Sequence, residues 1–327
     1  MIGPDGGDTG DHILHPVDLE PYAAGNTGIA YAHRFDSGRA GHDVLVVALI
    51  HGNELSGAHA ARRLLDLQIR PVAGSITVVF ANMAAYLTYD PAQPTRARFV
   101  EEDMNRVWDL ASLEGPRDSV ELRRARQIRP LVDRATRLLD LHSMQADAPP
   151  LMLSGMPERG RRLARDMRFP ALVVADSGHA AGRRLRDYGP FGAMEDGTRP
   201  DQPTALLAEC GQHLKPRSAT VATEVLARFL MTTGAITADD AARICPLPER
   251  PVPTLVEVTE RITIGAGSRF RFVRPFDGLE VIPKSGTIIA YDGDRPVRTP
   301  YDNCMLVMPS RRLVTGHTAV RLARHVD

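Results

Sequence analysis

The chain has 327 residues, 40 basic and 40 acidic side chains and a pI near 7.2. No Lys/Arg block stands out, so the electrostatic footprint of a nucleic-acid binder is missing, and no segment approaches the roughly 18 consecutive apolar residues of a membrane span. Its 3 cysteines, Cys210, Cys245 and Cys304, are too few and too scattered for a disulfide framework or a Cys-based zinc site, which leaves His and carboxylate side chains to hold any metal.

The start, "MIGPDGGDTGDHILHPVDLEPY", carries no basic region followed by an apolar core, so a soluble cytoplasmic protein with no membrane partner is expected. The first strong element is the apolar run at 44–50, "VLVVALI", which reads as a buried strand. It leads directly into His51-Gly52-Asn53-Glu54, after which Leu55, Ala58, Ala61, Leu64 and Leu65 take helical spacing over 55–68. Further strands are expected at 76–82, 137–141, 150–153, 171–175 and 204–208, and helices near 118–128, 157–167 and 216–231. Between them, 84–116 fits neither period, and so long an irregular connection is more often functional than idle.

Such alternation implies an α/β fold with a mixed sheet flanked by helices. At 245–254, "CPLPERPVPT", the prolines break any helix and suggest a semi-rigid linker. Short strand-like pieces follow ("TLVEVTERIT", "FRFVRPF", "LEVIPK", "GTIIAYDG", "NCMLVMP"), punctuated by Gly, Pro and Asp-Gly. The expected organisation is a catalytic domain at 1–245 and a smaller all-β domain at 246–327 that covers the cleft, in keeping with a prior of roughly 150 residues per domain.

Chemistry concentrates at strand ends, where ligands bind in open α/β sheets. His51 and Glu54 are one short turn apart, close enough to meet one ion. In "RLLDLHSM", Asp140 and His142 are two apart on a strand, so both face one side and the carboxylate can orient the imidazole. Two histidines and a glutamate on two strand ends make the ligand set of a catalytic zinc site, with the fourth position left to water. A third strand end, "ALLAECGQH", supplies Glu209 as the candidate general base. The irregular segment adds Arg98, Asn105 and Arg106; a guanidinium suits either bidentate grip of a carboxylate or stabilisation of an oxyanion.

These motifs resemble the zinc-carboxypeptidase superfamily and, within it, the succinylglutamate desuccinylase/aspartoacylase family. The resemblance spans roughly residues 44 to 232 and implies one Zn2+ per chain, with His51 and Glu54 of the HGNE motif and His142 of the DLH motif as metal ligands. It also implies that Arg98 of the Arg98-Phe99 pair polarises the scissile carbonyl. Asn105 and Arg106 of Asp103-Met104-Asn105-Arg106 would bind substrate, with Met104 where relatives carry Leu. Glu209 of Glu209-Cys210-Gly211 matches the catalytic glutamate. Arg199 matches in spacing an arginine that holds a second substrate carboxylate in aspartoacylase-like relatives. His213 stays outside the catalytic set.

The implied function is zinc-dependent deacylation of a small N-acyl amino acid, with a homo-oligomer as a possible assembly. A peptide-cleaving zinc carboxypeptidase would share the zinc, the base and the carboxylate clamp. A non-catalytic zinc module would need no Glu209. The stretch "SGTIIAYDGDRPVRTPYDNCMLVMPS" is similar to biotinyl/lipoyl-type barrels, but no lysine follows Lys284 within it to carry a cofactor.

Overall fold

The computed structural model describes residues 13–178, 181–194, 202–267 and 269–326. The first strands are β1 (Ala32–Asp36), β2 (Asp43–Ala48), β3 (Ser75–Phe80) and β4 (Arg137–Met144). They are followed by β5 (Leu151–Leu153), β6 (Leu172–Ala175) and β7 (Thr204–Gln212). The helices are α1 (Leu55–Asp66), α2 (Met83–Tyr86), α3 (Leu110–Glu114), α4 (Val120–Arg134), α5 (Glu158–Asp166), α6 (Pro216–Thr232) and α7 (Ala238–Ile244). Thereafter the chain forms β8 (Thr254–Thr263), β9 (Phe270–Phe272), β10 (Glu280–Ile282), β11 (Ile288–Asp292), β12 (Arg295–Arg298), β13 (Cys304–Val307) and β14 (Thr318–Val326).

Among the described residues, eleven strands join one mixed sheet in the order β1-β3-β2-β4-β7-β5-β6-β8-β14-β13-β10, and β12-β11-β9 form a small antiparallel one. β4 lies at its functional centre, parallel to β2 on one side and to β7 on the other. Strands covered on both faces need apolar residues at every position, which is why β2 reads as an unbroken run. Its alternate residues divide between two cores. Val44, Val46 and Ala48 pack with α1 and α6, around Leu64, Val225 and Phe229. Leu45 and Val47 pack with Leu122, Ala125, Ile128 and Val132 of α4. β4 divides the same way, with Leu139 and Leu141 on the α1/α6 side and Leu138 on the other. Asp140 and His142 share the parity of Leu138, so they face away from α1 and α6.

Several expected bounds shift. β2 ends at Ala48 because Leu49 adopts a left-handed backbone (φ 63°) that turns the chain toward His51. β4 runs past 141 to Met144, which places His142 inside the strand, since β7 continues beside it to Gln212. α4 extends beyond 128 to Arg134, with Ser119 accepting a hydrogen bond from Leu122 N (3.0 Å) at its start. β1 and α7 belong to no expected element. The irregular segment contains α2, α3 and short 3-10 turns at Pro94–Arg98 and Met104–Arg106.

The Pro-rich stretch is extended, and α6 holds it through Arg250 Nη2 to Glu224 Oε2 (2.9 Å) and Arg228 to Pro248 O. It ends in β8, which pairs parallel with β6 and so carries the sheet onward into β14 and β13. Among the described residues, no helix is long and apolar enough to cross a membrane.

Phe229, fully buried between α6 and the sheet, is a sensitive probe of this packing. Phe229→Ala is expected to lower unfolding free energy by about 3–5 kcal/mol, read from a urea titration.

Candidate functional site

The site begins where β2 gives way to α1. Gly52 permits the turn there: a Cβ at this position would lie 2.4 Å from Tyr86 N and 2.6 Å from Ala97 O. Without a side chain, the turn closes onto the irregular segment, and Gly52 N donates to Arg98 O at 3.1 Å. His51 and Arg98 are thereby brought to one place by backbone contact.

Glu54, 2 % exposed, is the hub. Its Oε1 lies 2.7 Å from His51 Nδ1 and its Oε2 lies 2.8 Å from His142 Nδ1. Ser143 N donates to Oε2 at 3.0 Å and Arg98 Nη1 to Oε1 at 3.3 Å. The two imidazoles meet edge to face, 5.1 Å apart. Each presents its far nitrogen to a second carboxylate: His51 Nε2 is 2.9 Å from Asp103 Oδ1, and His142 Nε2 is 2.9 Å from Asp140 Oδ2. At His142 the carboxylate at Nε2 favours the tautomer protonated there and leaves the Nδ1 lone pair for a cation, whereas His51 Nε2 also lies 2.9 Å from Arg98 Nη2. One ligand atom from each of His51, Glu54 and His142 lies within 4.8 Å of the others. Burial opposes charge on Glu54, yet the two imidazoles hold its carboxyl well below the usual range. Burial likewise opposes a charged His142, but Asp140 and Glu54 raise it well above the usual imidazole value. This surplus of buried carboxylate favours a cation among these donors, and an N2O donor set suits zinc.

Glu209 sits on β7 directly opposite His142 in the strand register. It is 8 % exposed, and its Oε2 has no hydrogen-bond partner among the described residues. Burial first, then repulsion from Glu54, push its carboxyl up to about 8. A carboxylate so placed can exchange a proton near neutral pH.

The irregular segment is anchored by a residue that the sequence did not single out. Glu121, fully buried on α4, accepts hydrogen bonds from Val100 N (2.7 Å), Glu101 N (3.1 Å), Glu102 N (3.2 Å) and Asn82 Nδ2 (3.0 Å). It thereby fixes the backbone between Arg98 and Asp103. Asp103 then caps the next turn, accepting from Asn105 N at 2.8 Å, and joins Arg98 Nη2 at 3.2 Å. Asn105 Oδ1 accepts from Leu185 N at 2.9 Å, and Arg106 Nη1 donates to Asn105 O at 2.7 Å.

His51, Glu54, Arg98, Asn105, Arg106, His142 and Glu209 therefore line one cleft of about 280 Å³. Phe276, Met308, Thr318 and Arg321 from the C-terminal strands complete its wall. Arg199 lies outside the described residues. His213 also faces the cleft, its Nδ1 2.8 Å from Ser143 Oγ, and burial pushes its imidazole down to about 4, so it is neutral at pH 7. Asp103 was legible in principle as part of the Asp-Met-Asn-Arg run. Glu121 resembles any acid in a first helical turn and gave no sequence signal.

Residues 40–193 match the family model described as the succinylglutamate desuccinylase/aspartoacylase catalytic domain. The fold is similar to a solved succinylglutamate desuccinylase from Vibrio parahaemolyticus, with TM-score 0.68, 17 % identity, and coverage of 91 % of this chain and 87 % of that one. A succinylglutamate desuccinylase from Vibrio cholerae gives TM-score 0.65 at 17 % identity, covering 91 % and 86 %. An aspartoacylase family protein from Mesorhizobium loti gives TM-score 0.56 at 19 % identity, covering 90 % and 88 %. Comparison with the curated proteins yields no match.

Glu121→Gln sets an amide N–H against backbone N–H groups and is expected to cost about 1.5–3 kcal/mol of stability in denaturant unfolding. Glu209 predicts a pH dependence. With its folded value near 8 against an ordinary 4.5, the folded state of metal-free protein keeps a proton that the unfolded chain has lost. Stability from this group is full below the ordinary value and falls as pH rises to about 8. Melting curves of chelator-treated protein should therefore show a shallower decline between pH 5 and 8 in Glu209→Gln; identical slopes would contradict the assignment.

Proposed function

We propose, because residues 40–193 match the succinylglutamate desuccinylase/aspartoacylase catalytic-domain model, that the chain is a zinc-dependent amidohydrolase that deacylates a small N-acyl amino acid. One observation carries this reading: both oxygens of Glu54 face imidazole Nδ1 atoms whose far nitrogens are held by carboxylates, beside the partnerless oxygen of Glu209. Structural zinc sites are usually closed by four protein ligands, whereas this set offers three and an adjacent base.

His51, Glu54 and His142 would hold one zinc per chain. Bound there, zinc would supply Lewis-acid polarisation and lower the pKa of water toward neutrality. Glu209 takes the proton of the attacking water and returns it to the departing amine nitrogen. Arg98 shares the negative charge that develops on the carbonyl oxygen. Asn105 and Arg106 grip the amino-acid carboxylate and align the amide, with Arg199 as a candidate for a second carboxylate. With a division at 245/246 the C-terminal strands would cover the cleft, and the small volume favours a single N-acyl amino acid over a long peptide.

Purified protein is expected to contain about one equivalent of zinc by elemental analysis. His142→Ala should lose it, while Glu209→Gln should keep it and lose turnover by about a hundredfold or more. A screen of N-acetyl, N-succinyl and N-formyl amino acids should show hydrolysis. Release of C-terminal residues from a peptide library, with no action on these compounds, would support the carboxypeptidase reading instead.

A further inference from the structure

Beside the reacting centre the sheet changes character within one row. His142 and Glu209 stand opposite each other on β4 and β7, and two residues back along both strands Asp140 stands opposite Leu207. Leu207 is in turn opposite Leu153 of β5. Residues two apart on a strand share a face, so Leu207 projects to the same side as Glu209. Leu153, Leu207 and Glu209 all line the cleft. Such hydrocarbon neighbours strip water from Glu209, and burial is the first cause of its raised carboxyl.

Met308 closes this patch from the C-terminal strands. It lines the cleft, is half-buried and packs against the apolar cluster that holds Leu153 and Leu207. Directly after β13 it adopts a left-handed backbone (φ 51°), unfavourable for any residue but glycine and kept only where the surroundings hold it.

The patch lies on the clamp side of the centre. His142 turns Nδ1 to Glu54 and Nε2 to Asp140, and Asn105 Nδ2 is 3.4 Å from that same Nε2. Asn105 therefore approaches from the side of Asp140, the residue opposite Leu207. The α-carbon of an N-acyl amino acid bears both carboxylate and side chain, so a carboxylate gripped by Asn105 and Arg106 brings the side chain, and not the acyl group, to this wall. Arg184 and Arg321 line the same cleft but are engaged with a carboxylate behind it. Arg184 Nη1 is 2.9 Å and Arg321 Nε 3.2 Å from Asp176 Oδ2, and Arg184 Nε also meets Asp187. Their charge is balanced there, which leaves the wall mainly apolar in what it offers a side chain.

Resting on the amidohydrolase reading, we propose that Leu153, Leu207 and Met308 form an apolar subsite that selects N-acyl amino acids with an aliphatic side chain of the leucine or methionine class. Hydrocarbon buried there leaves water and gains contacts, whereas a side-chain amide or carboxylate would lose its hydration without a partner on these three residues. Any second carboxylate then belongs to the acyl group.

Leucine, asparagine and aspartate side chains share one heavy-atom shape, so they separate polarity from size. Each is offered to the full chain as its N-acetyl, N-succinyl and N-formyl derivative, by calorimetry on Glu209→Gln, where turnover is suppressed, and by hydrolysis on unaltered protein. In the acyl series that binds best, the leucine compound should bind about tenfold tighter or more than the other two, and hydrolysis should show the same advantage in kcat/KM, expressed through KM. Met308→Gln should lose most of that advantage with kcat unchanged, and Met308→Leu should keep it. Leucine selectivity in binding without hydrolysis of any compound would support the subsite and defeat the amidohydrolase reading. Hydrolysis led by the aspartate or asparagine compound would uphold that reading and overturn the subsite, as would a leucine advantage that survives Met308→Gln at unchanged melting temperature. Failure of every compound to bind would overturn both.

Discussion

Both oxygens of one buried carboxylate, Glu54, are met by imidazole nitrogens that arrive on two neighbouring parallel strands. Each feature of the centre follows from keeping this arrangement in register. The parallel pairing of β2 with β4 fixes the lateral spacing of His51 and His142, and β7 adds Glu209 at the next step across the sheet. Asp103 and Asp140 turn the rings, and Glu121 steadies the segment that delivers Asp103. Long-range backbone contacts thus set the positions, while side chains adjust orientation. A site carried on strand ends is held more firmly than one carried on loops alone.

The parts of this centre that were legible in the sequence share one cause. A strand buried on both faces leaves a continuous apolar run, and a His or Glu at the end of such a run stands out against it. That logic found His51, His142 and Glu209, and the two-residue spacing of Asp140 and His142 correctly placed them on one face. It could not find β1, whose "AHRFD" has only Ala32 fully buried. Nor could it fix where β4 stops, because that depends on how far β7 runs beside it.

Residues whose role arises only from tertiary approach were invisible. Glu121 has the look of an ordinary helix-start acid until the 100–102 backbone folds over it. Arg184 and Arg321 are two among 40 basic residues. They meet across Asp176 because β8 lies beside β6 and β14 beside β8, a strand order that no local pattern announces.

The parallel seam between β6 and β8 also bears on how the chain can be divided. Val173 and Val174 make their sheet contacts with Leu255 and Val256 there, and all four are largely or fully buried. Cutting the polypeptide after Cys245 would strip that neighbour away and leave a bare, apolar strand flank, the kind of surface that invites edge-to-edge association. The Pro-rich stretch, read in the amino-acid sequence as a semi-rigid linker, thus delivers a strand that shields the flank of β6.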